Sequence, residues 1–131
     1  MSTPLGSIGT IGERLDLLVR QGGTLGPFVC TMVNPDGTPV DLTGCSITGQ
    51  IRKRPADAVI VAALAITITD PAGGAYRFGL PDDVTAAIVA GADISRPESL
   101  YVWDLELHDS AGQVIPLYWG DVRVHREVTR A

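Results

Sequence analysis

Three observations predict an all-β fold, a β-sandwich of jelly-roll or Ig-like type, with one short helix and an extended N-terminal arm. Apolar and polar residues alternate with period 2 in Leu15–Arg20, Cys45–Arg52, Tyr76–Leu80, Leu100–His108 and Val122–His125. Turn signals separate these runs, supplied by 15 Gly and 9 Pro. A helical pattern occurs once convincingly, after Leu80. Strands punctuated by turns, with a single short helix, fit two packed sheets.

Residues 1–13 are rich in Gly, Ser, Thr, Ile and Pro, and Glu13 is their one charge. No turn or period organises them. They read as an arm rather than a strand of the core. Leu5, Ile8 and Ile11 make it apolar enough to order on a neighbour. The sandwich domain is expected over residues 14–131.

Its first strand runs from Arg14 to Arg20, and Gln21-Gly22-Gly23 breaks it. Pro27–Val33 is a second, β-branched strand. Asn34-Pro35-Asp36-Gly37 is a tight turn, with Pro presetting φ and Gly supplying the positive φ that ends it. Val40–Gly44 leads into Cys45–Arg52, a strand polar on one face. Val59–Thr69 also favours strand, with a bend or local helix at Ala62-Ala63-Leu64. Asp70–Gly74 turns the chain into Tyr76–Leu80. The helix follows over Leu80–Ile88, with Pro81 at its start, Asp82 and Asp83 in its first turn and Gly91 as its stop. After a loop over 92–99, Leu100–His108 and Val114–His125 form a hairpin about Asp109–Gly112. Pro116 inside the last strand suggests an edge strand or a bulge.

Composition removes several function classes. The net charge of −5 weakens a nucleic-acid reading, because phosphate binding wants a basic surface. No apolar run approaches the roughly 20 residues that span a bilayer, so no membrane partner is expected. The N-terminal residues lack the basic and apolar regions of a signal peptide. Cys30 and Cys45 read as buried thiols made in a reducing compartment. A bridge between them requires their strands to pair.

Catalytic signatures are sparse. His108 and His125 lie on outward strand faces near the C-terminal hairpin, where Asp104, Glu106 and Asp121 would accompany them in a metal or acid–base cluster. A solvated sheet face has the same period-2 stripe. Asp104 and Glu106 share a face, the placement a glycosidase pair would need, but an exposed strand face is the better explanation. Asp82-Asp83 complement the helix dipole. Arg52-Lys53-Arg54 is a solvated strand end. The glycine-rich stretches lack the residues of a phosphate loop. No catalytic, cofactor or metal residues are assigned, and no enzyme activity is expected. Tyr118 and Trp119 adjoin, so one of them faces outward. With Pro116 they mark a possible interface, as do Leu5, Ile8 and Ile11 of the arm.

Several segments together resemble small structural proteins of tailed bacteriophages and prophages. Leu17–Thr24 resembles their "RQGxT" opening, and Asn34–Gly44 their "DxxGxPxDLTG" turn. Ile51-Arg52-Lys53 fits the "QIRK" strand, and Leu80–Ala87 their short helix. Tyr101–Leu107 looks like "YxYDLEL", and Val122–Arg130 matches "VxVxxEVTR". The likeness covers residues 17–130 and extends to the N-terminal modules of some baseplate upper proteins. It implies a β-sandwich virion protein, made in the bacterial host cytoplasm and forming homo-oligomers. Its partners would be other virion proteins: major capsid subunits for a head decoration (cement) protein, or tail and baseplate subunits. The arm is longer than that group's. Two alternatives stand beside it: a non-viral carbohydrate-binding or adhesin-like sandwich, and a small enzyme using the His108/His125 face.

Overall fold

The computed structural model describes residues 2–4, 12–89 and 98–127. In chain order the elements are β1 (Ser2–Pro4), β2 (Glu13–Arg14), β3 (Leu17–Arg20), β4 (Leu25–Val33), β5 (Ser46–Arg52), β6 (Ala62–Ala63), β7 (Ala65–Asp70), β8 (Ala75–Leu80), α1 (Asp82–Ala87), β9 (Glu98–His108) and β10 (Val114–His125). The chain is an all-β sandwich. One sheet has the order β1-β4-β8-β7. The other has β2-β10-β9-β5-β6, with β3 following β2 along the same flank of β10.

Alternation selects the faces. Cys30, Met32, Tyr76 and Phe78 point inward from the first sheet, and Ile47, Ile51, Leu105, Val122 and Val124 from the second. Trp103, 3% exposed, stands between the layers. Its ring stacks 5.6 Å from Phe78 and 6.3 Å from Tyr118. Its indole Nε1–H donates to the Leu15 carbonyl at 2.7 Å.

That bond explains why the first expected strand is split. Leu15 and Asp16 lie between β2 and β3, opposite Gly120 and Asp121. Trp103 takes the Leu15 carbonyl, and the Asp16 carboxylate accepts the Asp121 N–H at 2.9 Å. Two groups of an ordinary ladder are therefore satisfied by side chains. Gly120 is required here, because a Cβ would strike the Leu15 carbonyl.

The turns form where expected. Gly37 has φ +88°, and Asp36 accepts from both the Thr38 N–H and its hydroxyl. Asp41 caps Thr43 in the same way. Both carboxyls are held below their ordinary value by the threonine hydroxyl first and its backbone N–H second. Asp109 closes the last hairpin by accepting from the Ala111 and Gln113 N–H groups.

Several expectations need correction. Ser2–Pro4 of the arm is an edge strand, parallel to Thr31–Val33. Leu5, Ile8 and Ile11 lie outside the described residues, as do Gly91 and most of the 92–99 loop. Val59 and Ile60 form no strand and are 75% and 44% exposed. Ala62 and Ala63 then pair with β5, and the chain passes at Leu64 into β7 of the other sheet. The expected bend is thus a change of sheet. The helix ends at Ala87, because Ile88 turns extended and buries its side chain. Gln21 fixes that end by donating to the Ile88 carbonyl, and Thr85 donates to the Gly23 carbonyl. Cys30 and Cys45 form no disulfide: Cys30 is buried and Cys45 half-buried, and their segments belong to different sheets.

Pro116 does mark a bulge, between Pro116 and Tyr118. β10 is no edge strand, however: β9 runs along one side, and β2 and β3 cover Tyr118–His125 on the other. Pro116 precedes that covered stretch, where its missing N–H costs no ladder bond.

Trp103→Phe should cost about 2–4 kcal/mol in urea unfolding, through a cavity and a stranded Leu15 carbonyl. Glu106→Ala, on the opposite face of the same strand, should change stability by less than about 0.5 kcal/mol. Equal costs would remove Trp103 from its central role.

Candidate functional site: the outer face of the six-stranded sheet

The alternation that fills the core leaves polar side chains on the outer face. Thr48, Gln50 and Arg52 rise from β5, Asp104, Glu106 and His108 from β9, and Trp119 and Asp121 from β10. Strand register sets their neighbours. Gln50 lies opposite Asp104, Asp104 opposite Trp119, and Trp119 opposite Arg14. These four residues form one row across four strands, about 14 Å long at ~4.8 Å per strand. Thr48 and Glu106 form the next row. The face is concave, and the groove encloses about 830 Å³, with Pro55 of the following loop also lining it. That is within the ~300–1,000 Å³ typical of small-molecule sites.

Side-chain bonds hold the groove in shape. Arg52 donates to the Gln50 side-chain carbonyl at 2.8 Å and to the Asp57 backbone carbonyl, tying the loop to the sheet. Thr48 Oγ1 is 3.1 Å from His108 Nε2, which also lies 3.6 Å from Glu106 Oε2. Arg14 forms ion pairs with Asp16 at 3.2 Å and Asp121 at 3.1 Å. Its guanidinium carbon sits 5.0 Å from the Trp119 ring centre. The Asp16 carboxyl is held below its ordinary value, chiefly by the Asp121 backbone N–H.

Two groups in the groove are left unusual. Asp104 remains accessible, yet desolvation pushes its carboxyl above the ordinary 3.8, against the opposing pull of Arg52 and a hydrogen bond with Glu106. The Trp119 indole N–H is enclosed and has no hydrogen-bond partner among the described residues. An orphaned buried donor of this kind is uncommon in folded proteins.

The interface residues expected on the last strand separate. Tyr118, 1% exposed, belongs to the core, Trp119 faces out into the groove, and Pro116 is half-buried at the bulge. The two histidines do not meet. His108 pairs with Val114 at one end of the hairpin, and His125 with Glu98 at the other. Asp104, Glu106 and Asp121 join His108 in the groove, without His125. Among the described residues no three His, Cys, Asp or Glu side chains are arranged to hold a metal ion. Asp104 and Glu106 rise from one side of one strand, whereas glycosidase carboxylates flank a bond. What the face offers is a row of hydrogen-bonding groups beside an aromatic ring.

Gln50, Thr48, Arg52 and Arg14 were not singled out as site residues from the sequence. Alternation marks the first three as outward, but only the register aligns them with Asp104 and Trp119. Neither the protein-family models nor the curated proteins compared with this sequence give a match.

Ionised Asp104 works against folding at neutral pH. As pH falls the native state takes up this proton before the unfolded chain does. The penalty is therefore complete above the raised native value and gone below about 3.8. Asp104→Asn should raise the melting temperature at pH 7 and lose that advantage near pH ~3. Thermal melts at both pH values check this, and a variant less stable at pH 7 contradicts it.

Proposed function

We propose that this chain is a non-catalytic structural protein of a tailed-bacteriophage virion. It docks on neighbouring virion subunits and stabilises them, as a head decoration (cement) protein or in the tail, baseplate or fibre region. It is made in the bacterial host cytoplasm and acts as a homo-oligomer, as symmetric particles favour.

The observation that carries the reading is the ordered set of segments over residues 17–130 that resembles those virion proteins. The shared residues have physical work in this fold, which supports the likeness. Asp41 and Thr43 of the "DxxGxPxDLTG" segment bond to each other, the Asp41 carboxylate accepting from the Thr43 N–H and hydroxyl. Gln21 of the "RQGxT" segment donates to Ile88 and accepts from the Glu127 N–H. Trp103 takes the second aromatic place in "YxYDLEL", where its indole bonds Leu15.

The sheet margins add a docking mode. β1 is a three-residue edge strand held parallel to β4, and the Arg14 strand is an edge of the other sheet. The outer flanks of β1 and β2 are unpaired among the described residues, the position at which a strand from a neighbour can add.

Quantitative mass spectrometry of purified particles should find this chain beside the major capsid protein. Hundreds of copies favour the head shell, and a few to a few tens favour the tail. Absence from the particle overturns the reading. Deleting residues 1–12 should leave a folded domain, as judged by circular dichroism, and weaken attachment to the particle. Unchanged attachment removes the arm from docking.

A further inference from the structure

We propose that the groove on the outer face of the six-stranded sheet binds a neutral oligosaccharide, with Gln50, Asp104 and Trp119 as its floor. The inference does not depend on the virion reading. It concerns the outer face of the sheet rather than the unpaired flanks of its edge strands.

The charge pattern selects the ligand class. Arg14 and Arg52 flank the groove, and Asp104, Glu106 and Asp121 share it. A phosphate or carboxylate ligand meets three carboxylates, and a basic peptide meets two guanidinium groups. An uncharged molecule with many hydroxyls meets neither repulsion. Its hydroxyls both donate and accept, as this mixed row requires.

The row also has the geometry for a chain of such units. Its groups repeat at the strand spacing, about 4.8 Å. Asp104 and Glu106 supply acceptors, with Asp104 central in the row between Gln50 and Trp119. The Gln50 amide carbonyl is held by Arg52, which fixes the amide plane and presents its N–H₂. Trp119 supplies a broad apolar surface with a polar handle, suited to the C–H face of a pyranose ring. Arg14 lies over that ring through exposed contacts that are individually weak. When a sugar face replaces Arg14, a ligand hydroxyl gains access to the indole N–H, which has no partner among the described residues.

The test is an array of neutral, amino and sialylated oligosaccharides probed with the full chain. The best neutral glycan is then titrated by tryptophan fluorescence. Trp103 is buried, so the response comes from Trp119, and Trp119→Phe should abolish the fluorescence signal and weaken retention on the array. Gln50→Ala and Asp104→Asn should each weaken binding about tenfold, with unchanged circular dichroism. Retention of no neutral glycan, preference for sialylated glycans, or full binding by both variants overturns the proposal. None of these outcomes bears on the particle count.

Discussion

The hydrogen bond from the Trp103 indole to the Leu15 carbonyl is the joint on which the structure turns. Trp103 belongs to β9, yet its ring reaches past Gly120 of β10 to the break between β2 and β3. Its face meets Phe78 of the opposite sheet. One side chain therefore links three neighbouring strands of one layer to the second layer. The bond has to be made, because a buried indole N–H or carbonyl left alone costs about 1–3 kcal/mol. Gly120 is the enabling residue. It is Trp103's direct partner in the ladder, and any side chain there would collide with Leu15.

A second constraint fixes what the outer face presents. The hairpin begins in one register, with Ile115 opposite Leu107 and Pro116 opposite Glu106. Beyond the bulge Tyr118 lies opposite Leu105, so Leu117 is the extra residue. Leu117 and Tyr118 are both buried, consecutive residues that a regular strand would send to opposite faces. Because of this insertion, Trp119 emerges outward beside Asp104 rather than inward. A shift of one residue would reverse every side chain from Tyr118 onward. The bulge that accommodates Pro116 thus also places the aromatic residue of the groove.

The molecule separates its tasks by surface. Its interior is stacked aromatics and aliphatic residues, supporting both sheets. Its margins carry short strands, two of them drawn from the N-terminal fourteen residues. Its outer face carries the groove, whose polar groups are braced by Arg52, Arg14 and Thr48. Loss of the groove's side chains leaves the core intact, since Trp103 and Asp104 occupy opposite faces of the same strand.

The sequence by itself determined the all-β class, most strand positions, the turns marked by Pro and Gly and the one helix. These rest on local physics: period-2 burial, positive φ at glycine, and carboxylates in the first turn of a helix. It also separated Tyr118 from Trp119, because neighbours on a strand face opposite ways. Tertiary structure decided everything that depends on pairing between distant segments. It divided Val59–Thr69 between an exposed loop and two sheets, which an apolar run alone cannot specify. It made β10 an inner strand, since β2 and β3 arrive from the far end of the chain to cover it. It kept His108 and His125 apart at opposite ends of their hairpin, although both are outward-facing residues of its two strands. And it aligned Gln50, Asp104, Trp119 and Arg14, residues spread over more than a hundred positions. Alternation tells which face a residue takes, but register alone tells which residue stands beside it.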